Sequence, residues 1–85
     1  MITDKIKDLP AGEAIEILDR HLADHPNDDE AYYQRGLRLW GLSRRKEAIN
    51  DYLAALRLNP RSKAKEALDY ANSILDFYYK DLLNP

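Results

Sequence analysis

A recurring spacing of 34 residues constrains this chain more than any other feature of its sequence. Ala14 and Ala48 are 34 apart, as are Pro26 and Pro60, and Leu18 and Tyr52 keep the same interval one helical turn past each alanine. The stretch from Asn27 to Pro60 holds one helix-length apolar pattern, a short break, a second such pattern and a closing proline. A fixed period of this length with a helix–turn–helix pattern marks a helical repeat. Each unit buries its apolar face only by stacking on a neighbour.

Hydrophobic periodicity places four main helices, at about 10–25, 29–41, 44–58 and 62–82. In the first, Ala14, Ile15, Leu18 and Leu22 form an apolar stripe behind Pro10, and Pro26 biases His25 out of the helix. Asn27, Asp28 and Asp29 supply an N-cap and negative charge for the second, and Gly41 is expected to stop it. Tyr32, Gly36 and Leu39 form one stripe on that helix, and Tyr33, Leu37 and Trp40 a second. Ser43 is expected to cap the third, which buries Ala48, Ile49, Tyr52, Ala55 and Leu56. Ser62 caps the fourth, where Ala64, Ala67, Leu68, Ala71, Leu75, Tyr78 and Leu82 run beside a second stripe of Tyr70, Ile74 and Phe77. Ile2, Ile6 and Leu9 share one face, so 2–8 is either a short helix held by packing or a frayed end.

These landmarks resemble the tetratricopeptide repeat. The resemblance rests on Tyr32, Gly36, Leu39, Ala48, Tyr52, Ala55 and Pro60, which span one full repeat at 27–60. Residues 1–26 resemble a truncated repeat, with His21 standing where Ala55 does, and 61–85 resemble a capping helix, with Tyr70 where Gly36 would recur. The resemblance implies an all-α, right-handed superhelical stack of antiparallel helices in a single domain. It also implies a non-catalytic protein–protein interaction module, a small bacterial-type adaptor that holds a peptide or partner helix in a concave groove. On this chain the groove would be lined by Tyr33, Leu37 and Trp40, with Glu30 and Gln34 at its edge. Relatives that clamp a carboxylate use Lys and Asn there, so Tyr33 and Leu37 argue against that ligand.

Composition narrows the function classes. Thirteen basic and 15 acidic residues give a formal charge of −2, which argues against binding nucleic acid or an anionic membrane by bulk charge. With no cysteine there is no disulfide framework, and no window approaches the length of a membrane span, so a cytoplasmic protein is expected. His21 and His25 lie at i, i+4, a spacing that can bind metal, but no third ligand is identifiable and packing or surface histidines are the plainer reading. Arg44, Arg45 and Lys46 are either a solvated cluster or a docking point for an acidic group. No nucleophile with its base and no phosphate loop is evident, so no enzyme activity and no cofactor are expected.

Two functions therefore compete. One is a partner-binding adaptor using Glu30, Tyr33, Gln34, Leu37 and Trp40, with Tyr70, Ile74 and Phe77 of the last helix. The other is a homo-oligomer, such as a homodimer, whose self-association interface is the last helix or the concave face. A small domain cannot spare large apolar faces, so the last helix or a second copy is expected to cover the Tyr33–Leu37–Trp40 stripe.

Overall fold

The computed structural model describes the backbone over residues 1–83 and side chains through Leu75. Its five helices are α1 (Ile2–Ile6), α2 (Ala11–Asp24), α3 (Asp29–Gly41), α4 (Arg45–Leu58) and α5 (Ala64–Leu83). Each packs antiparallel on the next, and the short α1 rests on both α2 and α3. The fold is all-α, and among the described residues no helix is long and apolar enough to cross a membrane.

The 34-residue interval governs the backbone hydrogen bonds as well as the sequence. Adding 34 to the bounds of α2, 11 and 24, gives the bounds of α4, 45 and 58. Ala14 N–H donates to Pro10 at 3.0 Å, and Ala48 to Arg44 at 3.0 Å. At the other ends His25 donates to His21 and Asn59 to Ala55, both at 2.8 Å. The following turns close through Asp28 to His25 at 3.2 Å and Ser62 to Asn59 at 2.9 Å. Asp28 accepts from the Ala31 N–H at the start of α3, and the Ser62 hydroxyl accepts from the Ala64 N–H at the start of α5. Both caps are those expected from sequence.

The turn between α3 and α4 differs from expectation. Gly41 does not stop α3 by a left-handed conformation; it is the last helical residue. Ser43 is not the cap of α4; it takes the left-handed position itself, with φ 64°. Ser43 N–H donates to Trp40 at 3.0 Å and Arg44 N–H to Leu39 at 2.9 Å, so the turn is a Schellman motif with serine where glycine is usual. Helix α4 then starts behind Arg44, without a side-chain cap.

Among the described residues two apolar clusters form the core. Ile6, Ala14, Leu18, Leu22 and Ala31 fill the space among α1, α2 and α3. Leu39, Ala48, Tyr52, Ala55, Ala64 and Ala71 join α3, α4 and α5, with Ile15 reaching in from α2. Gly36 sets the approach of α3 to α4: a Cβ there would lie 2.5 Å from Tyr52 Cε1 and 3.2 Å from the Ala48 carbonyl oxygen. A residue with a side chain at 36 would push the Tyr52 ring, 2% exposed, out of its place.

One polar cluster crosses this core. The Arg35 guanidinium on α3 donates Nε and Nη2 to Asp51 on α4, each at 2.8 Å, and Nη1 to Asp19 on α2 at 2.9 Å. Asp51 is buried, and a bidentate bond to a planar guanidinium satisfies both of its oxygens. The hydrogen bond that Arg35 donates to Asp51 is the main reason its guanidinium is held still more firmly in the charged form. Three successive helices are thereby tied at one residue.

Candidate functional site

The second face of α3 opens on a groove of about 350 Å³, lined by Tyr33, Leu37, Trp40, Tyr52, Lys63, Glu66, Ala67 and Tyr70. Helix α3 supplies one wall through residues spaced three and four apart, which the helical period places on one face. Lys63, just before α5, and the first turns of that helix supply the other: Lys63, Glu66, Ala67 and Tyr70 fall at i, i+3, i+4 and i+7. Helix α5 therefore flanks the Tyr33–Leu37–Trp40 stripe and leaves it half-buried instead of sealed.

Aromatic rings dominate the groove. Trp40 and Tyr70 meet edge to face with centroids 6.3 Å apart, and Tyr33 lies 6.5 Å from Tyr52 at 44°. Tyr70 is 61% exposed and forms the open rim, whereas Tyr52 is floor. Burial, and after it the carboxylates of Glu30 and Glu66, push the Tyr33 phenol up from its ordinary pKa. From outside the groove the Arg45 guanidinium sits 5.1 Å from the Trp40 ring centroid.

The residues expected to line the site divide. Tyr33, Leu37, Trp40 and Tyr70 come together around the groove. Gln34 does not form its edge: it is 8% exposed, its amide nitrogen donating to Glu30 at 3.0 Å and its oxygen accepting from Arg38 at 3.1 Å. Glu30 is held by that bond and acts on the groove only through its charge. Ile74 is half-buried and lies beyond the lining, and the Phe77 side chain falls outside the described residues. Lys63 and Glu66 were not singled out from sequence, and Ala67 was read only as part of the apolar stripe of the last helix. The signal was available, because Glu66 and Ala67 lie one turn before Tyr70 on α5 and Lys63 just precedes that helix.

A larger hollow, of about 770 Å³, lies beside the α3–α4 turn and is lined by Ser43, Arg44, Arg45, Lys46, Glu47, Ile49, Asn50 and Leu75. The basic cluster noted in the sequence borders it. Arg44 is engaged by Glu47 through bonds of 2.9 and 2.6 Å, and Arg45 leans on Trp40. The hydrogen bonds from Arg44 hold the Glu47 carboxyl below its usual range. The groove is the better candidate for recognition because its aromatic rings offer rigid area to a partner.

His21 Nε2 lies 2.6 Å from Asp28 Oδ2, and the His21 and His25 rings are 4.7 Å apart. This corner joins α2 to α3, and among the described residues no group of three or more His, Cys, Asp and Glu is placed to hold a metal ion. Comparison with known proteins finds no matching family model, no similar curated protein and no similar solved structure.

Proposed function

We propose that this chain is a non-catalytic module of the tetratricopeptide type, acting in the cytoplasm, that holds a helix or extended peptide of a protein partner in the α3–α5 groove. The carrying observation is the groove itself, with Tyr33, Leu37 and Trp40 half-buried and Tyr70 open to solvent. The 34-residue equivalence of α2 with α4, and of the turns that follow them, supports the repeat reading. In that reading the helices wind as a right-handed stack, 27–60 is the complete repeat, and α5 closes it. Aromatic residues bury large rigid area at little entropic cost, which suits them as anchors.

The test is a binding measurement on native protein and on a Tyr33→Ala/Trp40→Ala variant whose folding is checked by circular dichroism. Loss of partner binding in the folded variant is the expected result. Unchanged affinity for every partner would sink the groove reading.

Self-association is the second reading, favoured by the exposure of Tyr70 on α5. It predicts a dimer at about 100 μM, because mass action favours the associated form at that concentration. A monomer by sedimentation at that concentration excludes it.

A further inference from the structure

The corner where α2 gives way to α3 holds two imidazoles that partner binding leaves unused. His21 lies in the last turn of α2, and His25 is the C-cap, whose N–H still bonds to the His21 carbonyl oxygen at 2.8 Å. Side chains four residues apart on a helix are neighbours, and here the ring centroids are 4.7 Å apart. Two imidazole nitrogens about 2.0–2.1 Å from one metal ion, at about 90–110° to each other, put their ring centroids about 4.5–5.2 Å apart. The pair therefore stands at a chelating separation. Both rings line a hollow of about 460 Å³ with Asp24, Pro26, Asn27 and Asp28, so its charged lining is two carboxylates. Arg20, next to His21 in the chain, and Arg57, which borders Pro26 from another hollow, do not line it. The C-terminus of α2 adds the negative end of the helix dipole.

His21 is also set in one proton arrangement. Its Nε2 lies 2.6 Å from Asp28 Oδ2, while Asp28 Oδ1 accepts from the Ala31 N–H at 3.3 Å. A carboxylate only accepts, so Nε2 of the neutral ring carries the proton and Nδ1 keeps its lone pair. A carboxylate behind the ring is the common support of a metal-binding histidine, fixing its tautomer and raising its basicity.

We infer that His21 and His25 form a two-imidazole site for a late first-row divalent cation, Cu2+ ahead of Ni2+ and Zn2+. His21 binds through Nδ1, and Asp28 is its positioning residue. Among the described residues no third side chain is placed to join them, so water fills the remaining positions, for which the hollow has room. The order of ions follows their general affinity for nitrogen ligands. The site is separate from the α3–α5 groove, and testing it needs no partner.

Calorimetric titration of the full chain with each ion is expected to show one Cu2+ per chain. His21→Ala and His25→Ala should each weaken it by about tenfold or more, because a lone imidazole loses the intramolecular advantage of two. His25 is exposed, so its substitution spares the core, and circular dichroism checks both folds. These are the chain's two histidines, and bound Cu2+ should broaden the ring-proton NMR signals of both. Asp28→Asn keeps a capping side chain but offers an amide N–H to the ring, which favours the other tautomer. It should weaken binding about tenfold and exchange the nitrogen shifts of His21. Unchanged affinity in either alanine variant means that at most one imidazole binds, and overturns the site. Unchanged affinity in Asp28→Asn overturns the binding through Nδ1.

Discussion

At the end of α2 the chain places His21, and at the end of α4, 34 residues later, it places Ala55. The backbone bonds around the two residues are the same, yet the joints are made differently. Ala55 and Ala64 are both fully buried in one cluster, so α4 and the start of α5 meet through small apolar side chains. His21 leaves no such space. Its ring hydrogen-bonds to Asp28 and stands beside His25, so the first joint is a polar bracket at the surface. One repeat geometry thus accepts either close packing or a specific hydrogen bond at the same position, provided the i→i−4 bond and the proline two residues after its carbonyl's helix end are kept.

The largest test of this comparison lies in the two clusters behind the joints. Tyr52 and Leu18 occupy equivalent positions, 2% and 0% exposed. Tyr52→Ala should cost about 3–5 kcal/mol and Leu18→Ala about 2–5, the usual ranges for emptying a core site. Tyr52→Ala is expected to be the more damaging, because Gly36 opposite it has no side chain to fill the void, whereas the short α1 can settle toward Leu18. Urea unfolding of both variants measures the order, and a larger loss for Leu18→Ala would break it. Tyr52 also sets a pH limit. Burial, then Tyr33 and Asp51, raise its phenol to about 12. The unfolded chain loses this proton near the ordinary phenol value of 10.0 and the folded one later, so stability is complete below about pH 10 and falls as pH rises toward 12. The fall approaches 2–3 kcal/mol, and Tyr52→Phe should remove it from the unfolding profile.

A smaller effect separates two glycines. Gly36→Ala forces a Cβ against Tyr52, and overpacking costs about 1–3 kcal/mol, against which the gain in helix propensity is about 1. A net loss of up to about 2 kcal/mol is expected. At Gly12, on the first turn of α2, nothing lies within 4 Å of an added Cβ, so Gly12→Ala should be neutral or stabilise by up to about 0.5–1 kcal/mol. Thermal melts of the pair decide the matter, and a stabilising Gly36→Ala would show that α3 and α4 are not in close register.

The sequence made the helices legible because each has a stripe of its own, and it made the interval legible because Ala14/Ala48 and Pro26/Pro60 mark the positions where neighbouring helices and turns tolerate little else. The caps at Asp28 and Ser62 were readable for the same local reason. The α3–α4 turn was not. Gly41 is the obvious stop residue, but the left-handed position is set by which carbonyls the turn must satisfy, and those lead to Ser43. The groove was half legible: Tyr33, Leu37 and Trp40 lie on one helical face, but the partner wall depends on how α5 docks, which no local pattern states. The burial of Gln34 was hidden too, because a glutamine satisfied by its i±4 neighbours Glu30 and Arg38 looks in sequence like a solvated one.

The turn before α2 (the first) and the turn before α4 (the second) supply a further contrast. Leu9 N–H donates to Ile6 at 3.1 Å, as Ser43 does to Trp40, but the next bond of the motif exists only in the second turn. Its donor there is the Arg44 N–H, and the equivalent residue 34 earlier is Pro10, which has none. The first turn therefore has no left-handed residue, while Ser43 carries φ 64°. Holding a residue other than glycine in that region costs about 1–2 kcal/mol. Ser43→Gly should relieve part of this and raise stability by about 0.5–1 kcal/mol after the added freedom of glycine in the unfolded chain is subtracted. Leu9→Gly should instead destabilise, since its position needs no such freedom. A stabilising Leu9→Gly would show that the two turns share one conformation.

The smallest effect returns to the joint where the two halves differ most. His21→Ala removes the hydrogen bond to Asp28 and the contact with His25, but Asp28 keeps its cap to the Ala31 N–H. The pair is partly exposed, with side chains 22% and 31% accessible, so the expected loss is under about 1 kcal/mol. Asp28→Ala removes both bonds and should cost more, by about the 1 kcal/mol that an N-cap contributes. A double-mutant cycle over His21 and Asp28 separates the bracket from the cap: coupling should be a few tenths of a kcal/mol, as for other exposed pairs. Zero coupling would mean that the polar bracket is only a consequence of the 34-residue geometry, and that the first joint, like the second, is held by its backbone bonds and the apolar cluster behind it.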